Sequence, residues 1–241
     1  MNQSIKIWAH RGASGYAPEN TLEAFELAVK QKADGVELDV HLSRDGKVIV
    51  AHDERLERVS DGTGFLKDYT LQELKKFRFN KTHPEYESAT LPSLEEVYEL
   101  LKPTGLTVNV EIKSTDFDYP GIEEKLVRLA KNWKMEDRVL YSSFNHYSLL
   151  RIRKVDPQVK IGLLYSEKFV NVPGYGANLG ADALHPHFPM VLEDGYLEAC
   201  RKNHLLIHPW TVNKPEDIKA MIACGVNAII TNYPDRAREL L

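Results

Sequence analysis

Residues 36–52 read VELDVHLSRDGKVIVAH, and this stretch determines how many strands are counted as parallel. Residues 36–42 alternate like a strand, and residues 48–52 form a second strand candidate. The five residues between them contain Asp45-Gly46, a hairpin turn signal, and are too few for a parallel crossover. We therefore predict that the second strand pairs antiparallel with the first and is not part of a parallel sheet.

Outside this hairpin, short runs rich in β-branched residues alternate with helical stretches along the chain. Eight parallel strands are predicted, at residues 6–10, 36–42, 107–113, 138–142, 160–165, 182–185, 206–211 and 228–231. Helices are predicted at residues 21–32, 94–102, 122–133, 146–155, 192–202, 216–223 and 235–241, and a weakly marked one is expected within 167–179. Eight such units predict an α/β fold, a (β/α)8 TIM barrel forming a single domain over residues 1–241.

The second strand is followed by a small insertion at about residues 46–92, which is rich in charged and aromatic residues. One short helix is predicted in it near residues 71–77. Capping-box spacing marks several helix starts, namely Asn20 with Glu23, Thr70 with Glu73, and Ser93 with Glu96. Pro215 is suited to the first turn of another helix.

The composition is that of an ordinary globular protein. The 31 basic and 35 acidic residues give a net charge of −4, which argues against nucleic-acid binding through a broad basic surface. No apolar run approaches the roughly 18–20 residues that span a bilayer, and residues 1–11 lack the pattern of a signal peptide. Two cysteines, Cys200 and Cys224, make neither a disulfide framework nor a cysteine zinc site. We expect a cytoplasmic protein without integral membrane association. The sequence leaves its oligomeric state open.

Carboxylates alternate with apolar residues in two strands that are neighbours in the predicted barrel. Glu37 and Asp39 share the inward face of one, and Glu111 has the same phase on the next. Three like charges in one small volume would be costly, and a hard divalent cation such as Mg²⁺ or Ca²⁺ would relieve them. Two alternatives remain open: a solvated polar face, or a structural ion pair with Lys113.

Histidines end the first strand and the hairpin strand, in His10-Arg11-Gly12 and His52-Asp53. Histidine exchanges protons near neutral pH, arginine matches phosphate oxygens, and Gly12 would let the backbone approach a ligand closely. We also expect His41 and His187 to lie near the site and His185 to face inward. Trp210 is either core filler or a wall of the substrate pocket.

Further motifs follow in order from residue 10 to residue 234: HRG at 10–12, PENT at 18–21, DGVELDV at 34–40, VIVAHD at 48–53, LPSLEE at 91–96, EIK at 111–113, SSF at 142–144, WTVN at 210–213 and ITNYP at 230–234. In this combination the sequence resembles the glycerophosphodiester phosphodiesterase family. It departs from the family pattern at Ser43, where Thr is usual, and at Asn232, where Asp is common. We expect neither departure to touch the acid–base or metal positions.

The resemblance implies a (β/α)8 barrel and metal-dependent hydrolysis of a small glycerophosphodiester to an alcohol and glycerol 3-phosphate. Carried over to this sequence, it makes His10 and His52 the acid–base pair, and Glu37, Asp39 and Glu111 the ligands of one divalent cation. It implies that Arg11 and Lys113 contact the phosphate and that Phe144 and Trp210 line the substrate pocket.

Other functions remain open beside this one. A lysophospholipase D acting on a larger lipid diester would need an exposed apolar rim or lid on the insertion. A silent binding protein for phosphorylated polyols would be expected to lack a histidine or carboxylate, and a sugar-phosphate isomerase or aldolase rests on fold analogy alone. We also expect exposed insertion aromatics such as Tyr69 and Phe79 to select the alcohol part of the substrate.

Overall fold

The computed structural model describes residues 4–241. Its strands are β1 Lys6–His10, β2 Gly35–Leu42, β3 Val48–Val50, β4 Thr107–Ile112, β5 Val139–Ser143, β6 Lys160–Tyr165, β7 Ala183–Pro186, β8 Leu206–Ile207 and β9 Ala228–Thr231. Its α-helices are α1 Leu22–Lys30, α2 Leu71–Leu74, α3 Leu94–Leu101, α4 Ile122–Trp133, α5 His146–Val155, α6 Val172–Asn178, α7 Tyr196–Lys202, α8 Pro215–Cys224 and α9 Pro234–Glu239.

Eight of these strands are parallel and lie in the order β8-β7-β6-β5-β4-β2-β1-β9. The two end strands approach each other. The Asn227 amide donates to the Ile207 carbonyl (3.0 Å), and the Ile230 amide donates to the Pro209 carbonyl (3.0 Å). The sheet is therefore a nearly closed barrel with helices between its strands, as predicted. Strand β8 is shorter than expected because Pro209 has no amide hydrogen to continue the ladder.

The predicted hairpin is confirmed, so residues 48–52 are correctly left out of the parallel strands. Strand β3 runs antiparallel to β2, with Val40 opposite Val50. The turn is closed by a hydrogen bond from the Ser43 amide to the Lys47 carbonyl (3.0 Å), and Gly46 has a φ of +71°. A positive φ at this position is readily adopted by glycine, which explains the Asp-Gly signal.

The two faces of β2 and β4 are chemically different. Residues such as Val36, Leu38 and Val110 lie on the outer face and belong to the main apolar core with the helices. Between them, Glu37 and Asp39 are buried on the inner face. This alternation places the polar groups inside the barrel, as the sequence predicted.

The insertion has a small core of its own, formed by Ile49, Ala51, Leu56, Leu66, Leu74, Phe79 and Leu91. Phe79 is only 5% exposed, so the expectation that it is a surface residue that selects the substrate is wrong. Tyr69 is half-buried and its hydroxyl donates to the Thr63 carbonyl (2.8 Å). Both aromatics therefore support the insertion itself.

Two of the three predicted capping boxes are present, at Thr70 and Ser93. The third is wrong. The residue that caps helix α1 is Thr21. Asn20 has a φ of +58°, and its side chain does not bind the first turn of the helix.

Helix α6 starts with a proline turn and contains Gly174 and Gly176, which explains its weak sequence pattern. A Cβ on Gly176 would lie 2.9 Å from the Leu184 side chain, so packing against β7 favours glycine there. Among residues 4–241, no helix is long and apolar enough to cross a membrane.

Candidate active site

Three buried carboxylates meet at the carboxyl-terminal end of the barrel strands. Glu37 and Asp39 come from β2 and Glu111 comes from β4, where it lies in register with Asp39. One oxygen of each lies within 4.8 Å of the others. The sequence-based prediction that these side chains converge is confirmed.

The donor set of this carboxylate cluster (Glu37, Asp39 and Glu111) fits a hard divalent cation. Asp39 Oδ1 is buried and has no hydrogen-bond partner among residues 4–241, which is unusual for a carboxylate oxygen unless another ligand satisfies it. Oxygen-only ligands suit Mg²⁺ and Ca²⁺ equally. The structure thus contains residues that could hold such an ion.

The three carboxylates differ in how readily they ionise. Burial, followed by the charges of Asp39 and Glu111, raises the pKa of Glu37 well above its usual value. Burial also raises the pKa of Glu111, although the nearby Lys113 ammonium opposes this shift. For Asp39, burial is outweighed by the cations of Lys113 and Arg11, which hold its pKa below the usual range.

Two cations flank the carboxylate cluster. Lys113 Nζ lies 2.9 Å from Glu111 Oε1 and 3.6 Å from Asp39 Oδ1. Arg11 Nε lies 3.5 Å from Asp39 Oδ2 and, within the described part of the chain, has no hydrogen-bond partner. Both predicted phosphate contacts therefore lie beside the predicted metal ligands. The ion pair with Lys113 that the sequence left open is therefore present beside the carboxylate cluster.

His10, at the end of β1, is held by a residue that the sequence analysis set aside. Its Nδ1 lies 2.7 Å from Asn232 Oδ1, and its Nε2 lies 3.9 Å from Glu37 Oε2. The expectation that Asn232 does not touch the acid–base positions is therefore wrong, because the loop after β9 packs directly beside the end of β1. Burial and the Arg11 charge lower the pKa of His10 to about 3.

His52 follows β3 and is held by a chain of ion pairs. Asp53 Oδ1 lies 2.6 Å from His52 Nδ1, and the Arg58 guanidinium donates to Asp53. Arg58 also donates to both oxygens of Glu19 at 2.7 Å, and Glu19 accepts from Arg11 at 2.9 Å. This ion-pair chain connects the insertion to the residues around the carboxylate cluster.

Asn20 takes part in the site. Its amide Nδ2 donates to Asp39 Oδ2 (2.9 Å), and the residue is only 3% exposed. The site contacts of Glu19, Asn20, Asp53 and Asn232 were not predicted from the sequence. All four lie in the motifs on which the family resemblance rests, so motif membership was the signal that could have identified them.

The two predicted pocket aromatics contact each other. The rings of Phe144 and Trp210 are edge-to-face with centroids 5.6 Å apart, and Trp210 Nε1 donates to the His185 carbonyl (2.7 Å). Phe144 is 38% exposed. His187, which was expected near the site, packs its ring 5.7 Å from Trp210.

His185 faces the barrel interior, as predicted, but it is not exposed to a substrate. It is fully buried and its Nε2 lies 3.0 Å from His208 Nδ1, within the barrel interior. Gly12 packs closely against α1. A Cβ there would lie 2.6 Å from the Ala24 backbone, so this packing favours glycine.

Several known proteins are similar to this chain in sequence. Residues 10–236 match the model of the glycerophosphoryl diester phosphodiesterase family. A glycerophosphodiester phosphodiesterase of Caldanaerobacter subterraneus subsp. tengcongensis is 44% identical over 98% of this chain and 97% of that protein. One from Bacillus altitudinis is 40% identical over 98% of this chain and 97% of its own length.

A solved structure of an Oleispira antarctica phosphodiesterase, in complex with the product sn-glycerol-3-phosphate, has the same fold. It is 29% identical, covers 98% of this chain and 96% of its own, and superposes with a TM-score of 0.89. With the barrel, the carboxylate cluster and the two histidines in place, the chain belongs to the glycerophosphoryl diester phosphodiesterase family and is an enzyme of that class.

Proposed function

We propose that this phosphodiesterase hydrolyses glycerophosphodiesters to an alcohol and glycerol 3-phosphate, with His10 and His52 as the acid–base pair and Glu37, Asp39 and Glu111 as ligands of one divalent cation. The observation that carries the proposal is the carboxylate cluster, whose oxygens lie within 4.8 Å of one another. A histidine from β1 and a histidine from the hairpin flank it.

The cation, when bound, would neutralise charge on the phosphate, which otherwise repels an attacking oxygen. Arg11 and Lys113 would add to that effect, because both side chains already lie beside the carboxylate cluster. Fixed cations at this point favour the transition state, in which charge builds up on the phosphate oxygens.

The two histidines differ in their partners, and this difference supports different roles. His10 Nδ1 is paired with a neutral amide oxygen, so Nε2 keeps a lone pair that can accept a proton. Burial and Arg11 lower its pKa to about 3, which keeps the ring neutral as a base requires. His52 Nδ1 is paired with the Asp53 carboxylate, which suits a ring that gives up a proton from Nε2.

The reaction then has two steps. The glycerol 2-hydroxyl attacks phosphorus while His10 takes its proton, and the bond to the alcohol oxygen breaks while His52 protonates that oxygen. Water next opens the cyclic phosphate, with His52 as base and His10 returning its proton to the 2-oxygen. Each histidine ends in its starting state, and the product is glycerol 3-phosphate.

A panel of choline, ethanolamine, glycerol and inositol glycerophosphodiesters, each with and without chelator, tests the proposal. We expect glycerol 3-phosphate from at least one diester, loss of activity with chelator, and recovery with Mg²⁺ or Ca²⁺. Full activity of the chelated enzyme would contradict the metal assignment. Release of glycerol in place of glycerol 3-phosphate would contradict the assigned bond cleavage.

A second candidate substrate is a larger, lysophospholipid-type diester. An apolar groove of about 540 Å³ is lined by residues that include Phe144, Leu164 and Val172. At its edge, Phe169 is 64% and Val170 is 99% exposed. The insertion, where the sequence analysis sought such a rim, has most of its large apolar side chains in its own core.

The two candidates are separated by comparing glycerophosphocholine with lysophosphatidylcholine. If the groove binds an acyl chain, Val170→Asp lowers kcat/KM for the lysolipid by about 10-fold and leaves glycerophosphocholine unaffected. Equal rates for wild type and Val170→Asp on the lysolipid would contradict this candidate. That the enzyme works in the cytoplasm stays a prediction.

A further inference from the structure

His52 lies just after the hairpin strand β3. The Ala51 amide still donates to the Asp39 carbonyl (3.0 Å), but His52 lies beyond the end of β3. From this point the strand ladder no longer fixes the backbone. A histidine that must deliver a proton to one oxygen needs its backbone held as well as its ring.

A second histidine holds that backbone. His41 Nε2 lies 3.1 Å from the His52 carbonyl oxygen. A carbonyl oxygen can only accept, so Nε2 of His41 carries the hydrogen and donates it. His41 lies on β2 two residues after Asp39, so the contact joins the backbone of His52 to the strand that bears two of the proposed metal ligands.

Tyr119, in the loop before α4, fixes the tautomer of His41. Its hydroxyl lies 3.0 Å from His41 Nδ1, and the two rings are edge-to-face with centroids 5.6 Å apart. Because Nε2 carries the hydrogen, Nδ1 of the neutral ring is the acceptor and the tyrosine donates. His41 is 3% and Tyr119 is 8% exposed, so water has little access to compete for either hydrogen bond.

We propose that His41 and Tyr119 form a positioning pair that holds the His52 backbone so that its ring can protonate the leaving alcohol. This inference rests on the proposed acid role of His52. It is separate from the action of Asp53, which holds the His52 ring at Nδ1, whereas His41 holds the main chain. Neither His41 nor Tyr119 touches the substrate in this proposal.

The leaving group of the substrate distinguishes positioning from a purely structural role. Choline in glycerophosphocholine is a poor leaving group and needs a proton, whereas 4-nitrophenolate in the 4-nitrophenyl ester of glycerol 3-phosphate does not. Loss of general-acid positioning must therefore slow release of choline from the first ester and spare first-turnover release of 4-nitrophenolate from the second. A loosened fold would lower both together.

Three variants are measured on both esters, with melting temperatures recorded for each. His41→Leu removes the donor and should lower kcat on glycerophosphocholine by about 10- to 100-fold with little change in KM. His41→Gln keeps a donor at similar reach and should recover most of that loss. Tyr119→Phe removes the hydroxyl that selects the tautomer and should cost about 3- to 10-fold. On the nitrophenyl ester, first-turnover release of 4-nitrophenolate should stay near the wild-type rate in all three.

His146 provides a matched control, since its Nε2 contacts the Leu164 carbonyl (3.0 Å) and its Nδ1 contacts the Tyr175 hydroxyl (3.0 Å). Any loss in His146→Leu should be the same on both esters, because this ring does not contact His52. If His41→Leu does not fold, Tyr119→Phe and His41→Gln still carry the comparison.

A double variant separates this inference from the proposed function. In a His52→Ala background, His41→Leu should add no further loss on glycerophosphocholine. Equal losses on both esters, or a full additional loss in that background, would overturn the positioning role. If His52→Ala itself keeps full activity, the proposed function fails first; if only the His41 variants lack selectivity, the inference alone fails.

Discussion

At the scale of single residues, Glu37 is electrostatically unfavourable in the site without a metal. Burial and the charges of Asp39 and Glu111 all disfavour its ionised form. A divalent cation at the carboxylate cluster would reverse that balance, so the protein should be more stable with the ion than without it.

We predict that Glu37→Gln lowers the stability of the metal-bound protein but not that of the metal-free protein. With chelator, the variant should melt no lower than wild type, because a repelling charge is gone. With a hundredfold excess of Mg²⁺ or Ca²⁺ over Kd, wild type should gain about 2.7 kcal/mol, and the variant should lose most of that gain. Calorimetry with and without chelator measures both effects.

Glu99→Gln is the control, since Glu99 is exposed on α3 and lies outside the carboxylate cluster. It should respond to chelator as wild type does. A melting curve of wild type that chelator leaves unchanged would contradict a preformed metal site.

Single residues also mark the limit of the sequence analysis. Strand alternation was enough to bring Glu37, Asp39 and Glu111 together, because neighbours in a parallel sheet have a defined register. The contact between His10 and Asn232 joins residues 222 positions apart, and no local pattern encodes it. Asn20 was interpreted as a helix cap because capping spacing is local, whereas its real partner, Asp39, lies on another element.

At the scale of elements, Arg58 is the connection between the insertion and the barrel. Its guanidinium contacts both carboxylate oxygens of Glu19 and both of Asp53. Its side chain is 43% exposed, so the ion pairs contribute little to overall stability. Their effect is on the geometry of the loop that bears His52.

We predict that Arg58→Lys lowers kcat by about 10-fold, because a lysine cannot bridge two carboxylates in a fixed planar arrangement. The free energy of unfolding should change by less than about 1 kcal/mol. Steady-state kinetics and urea unfolding on the same samples provide the two measurements.

Arg55→Lys is a closely matched control. Arg55 contacts both oxygens of Glu57 and is similarly exposed at 48%, but it has no contact with Asp53 or Glu19 among its ion pairs. It should leave kcat unchanged. If the two variants lose activity equally, the ion-pair chain has no special role.

The boundaries of helices and strands were predictable where the residues that set them act on their neighbours in the sequence. Gly46 and the cap residues Thr70 and Ser93 act within a few positions of themselves, and their predictions hold. Phe79 was misjudged because composition cannot tell an exposed aromatic from one that fills a small separate core.

At the scale of the whole molecule, the barrel interior contains a buried pair of histidines. Burial and its neighbour His208 lower the pKa of His185 well below the usual value, and burial lowers the pKa of His208 to about 3. Both rings are therefore neutral in the native state and become protonated on unfolding at mildly acidic pH. This proton uptake by the unfolded chain favours unfolding as the pH falls.

We predict that this pair makes the free energy of unfolding fall as the pH drops below about 6.5, the unfolded histidine value. Each buried histidine contributes about 1.4 kcal/mol per pH unit once the unfolded ring is protonated, so the pair contributes about 2.7. In the double variant His185→Gln/His208→Gln, the free energy of unfolding should depend less steeply on pH between pH 6 and 4.5, by that amount. Urea unfolding at each pH measures it.

The surface histidine variant His83→Gln/His204→Asn should keep the full slope. An unchanged slope in the buried double variant would show that the pair does not remain neutral in the fold. The barrel itself was predictable because eight strand–helix units leave few other arrangements, but the burial of His185 depends on how strands distant in sequence close on one another.

In the proposed reaction His52 is the acid and His10 is the base of the first step, and a comparison of two leaving groups distinguishes these roles. On glycerophosphocholine, His10→Ala and His52→Ala should each lower kcat by roughly 10²–10⁴ with little change in KM. On the 4-nitrophenyl ester of glycerol 3-phosphate, first-turnover release of 4-nitrophenolate by His52→Ala should recover towards the wild-type rate, because that leaving group needs no proton, while His10→Ala stays impaired. Opening of the cyclic phosphate, for which His52 is the proposed base, should stay slow in His52→Ala. Equal recovery of both variants, or full activity of either on glycerophosphocholine, would contradict the assignment of His52 as acid and His10 as base.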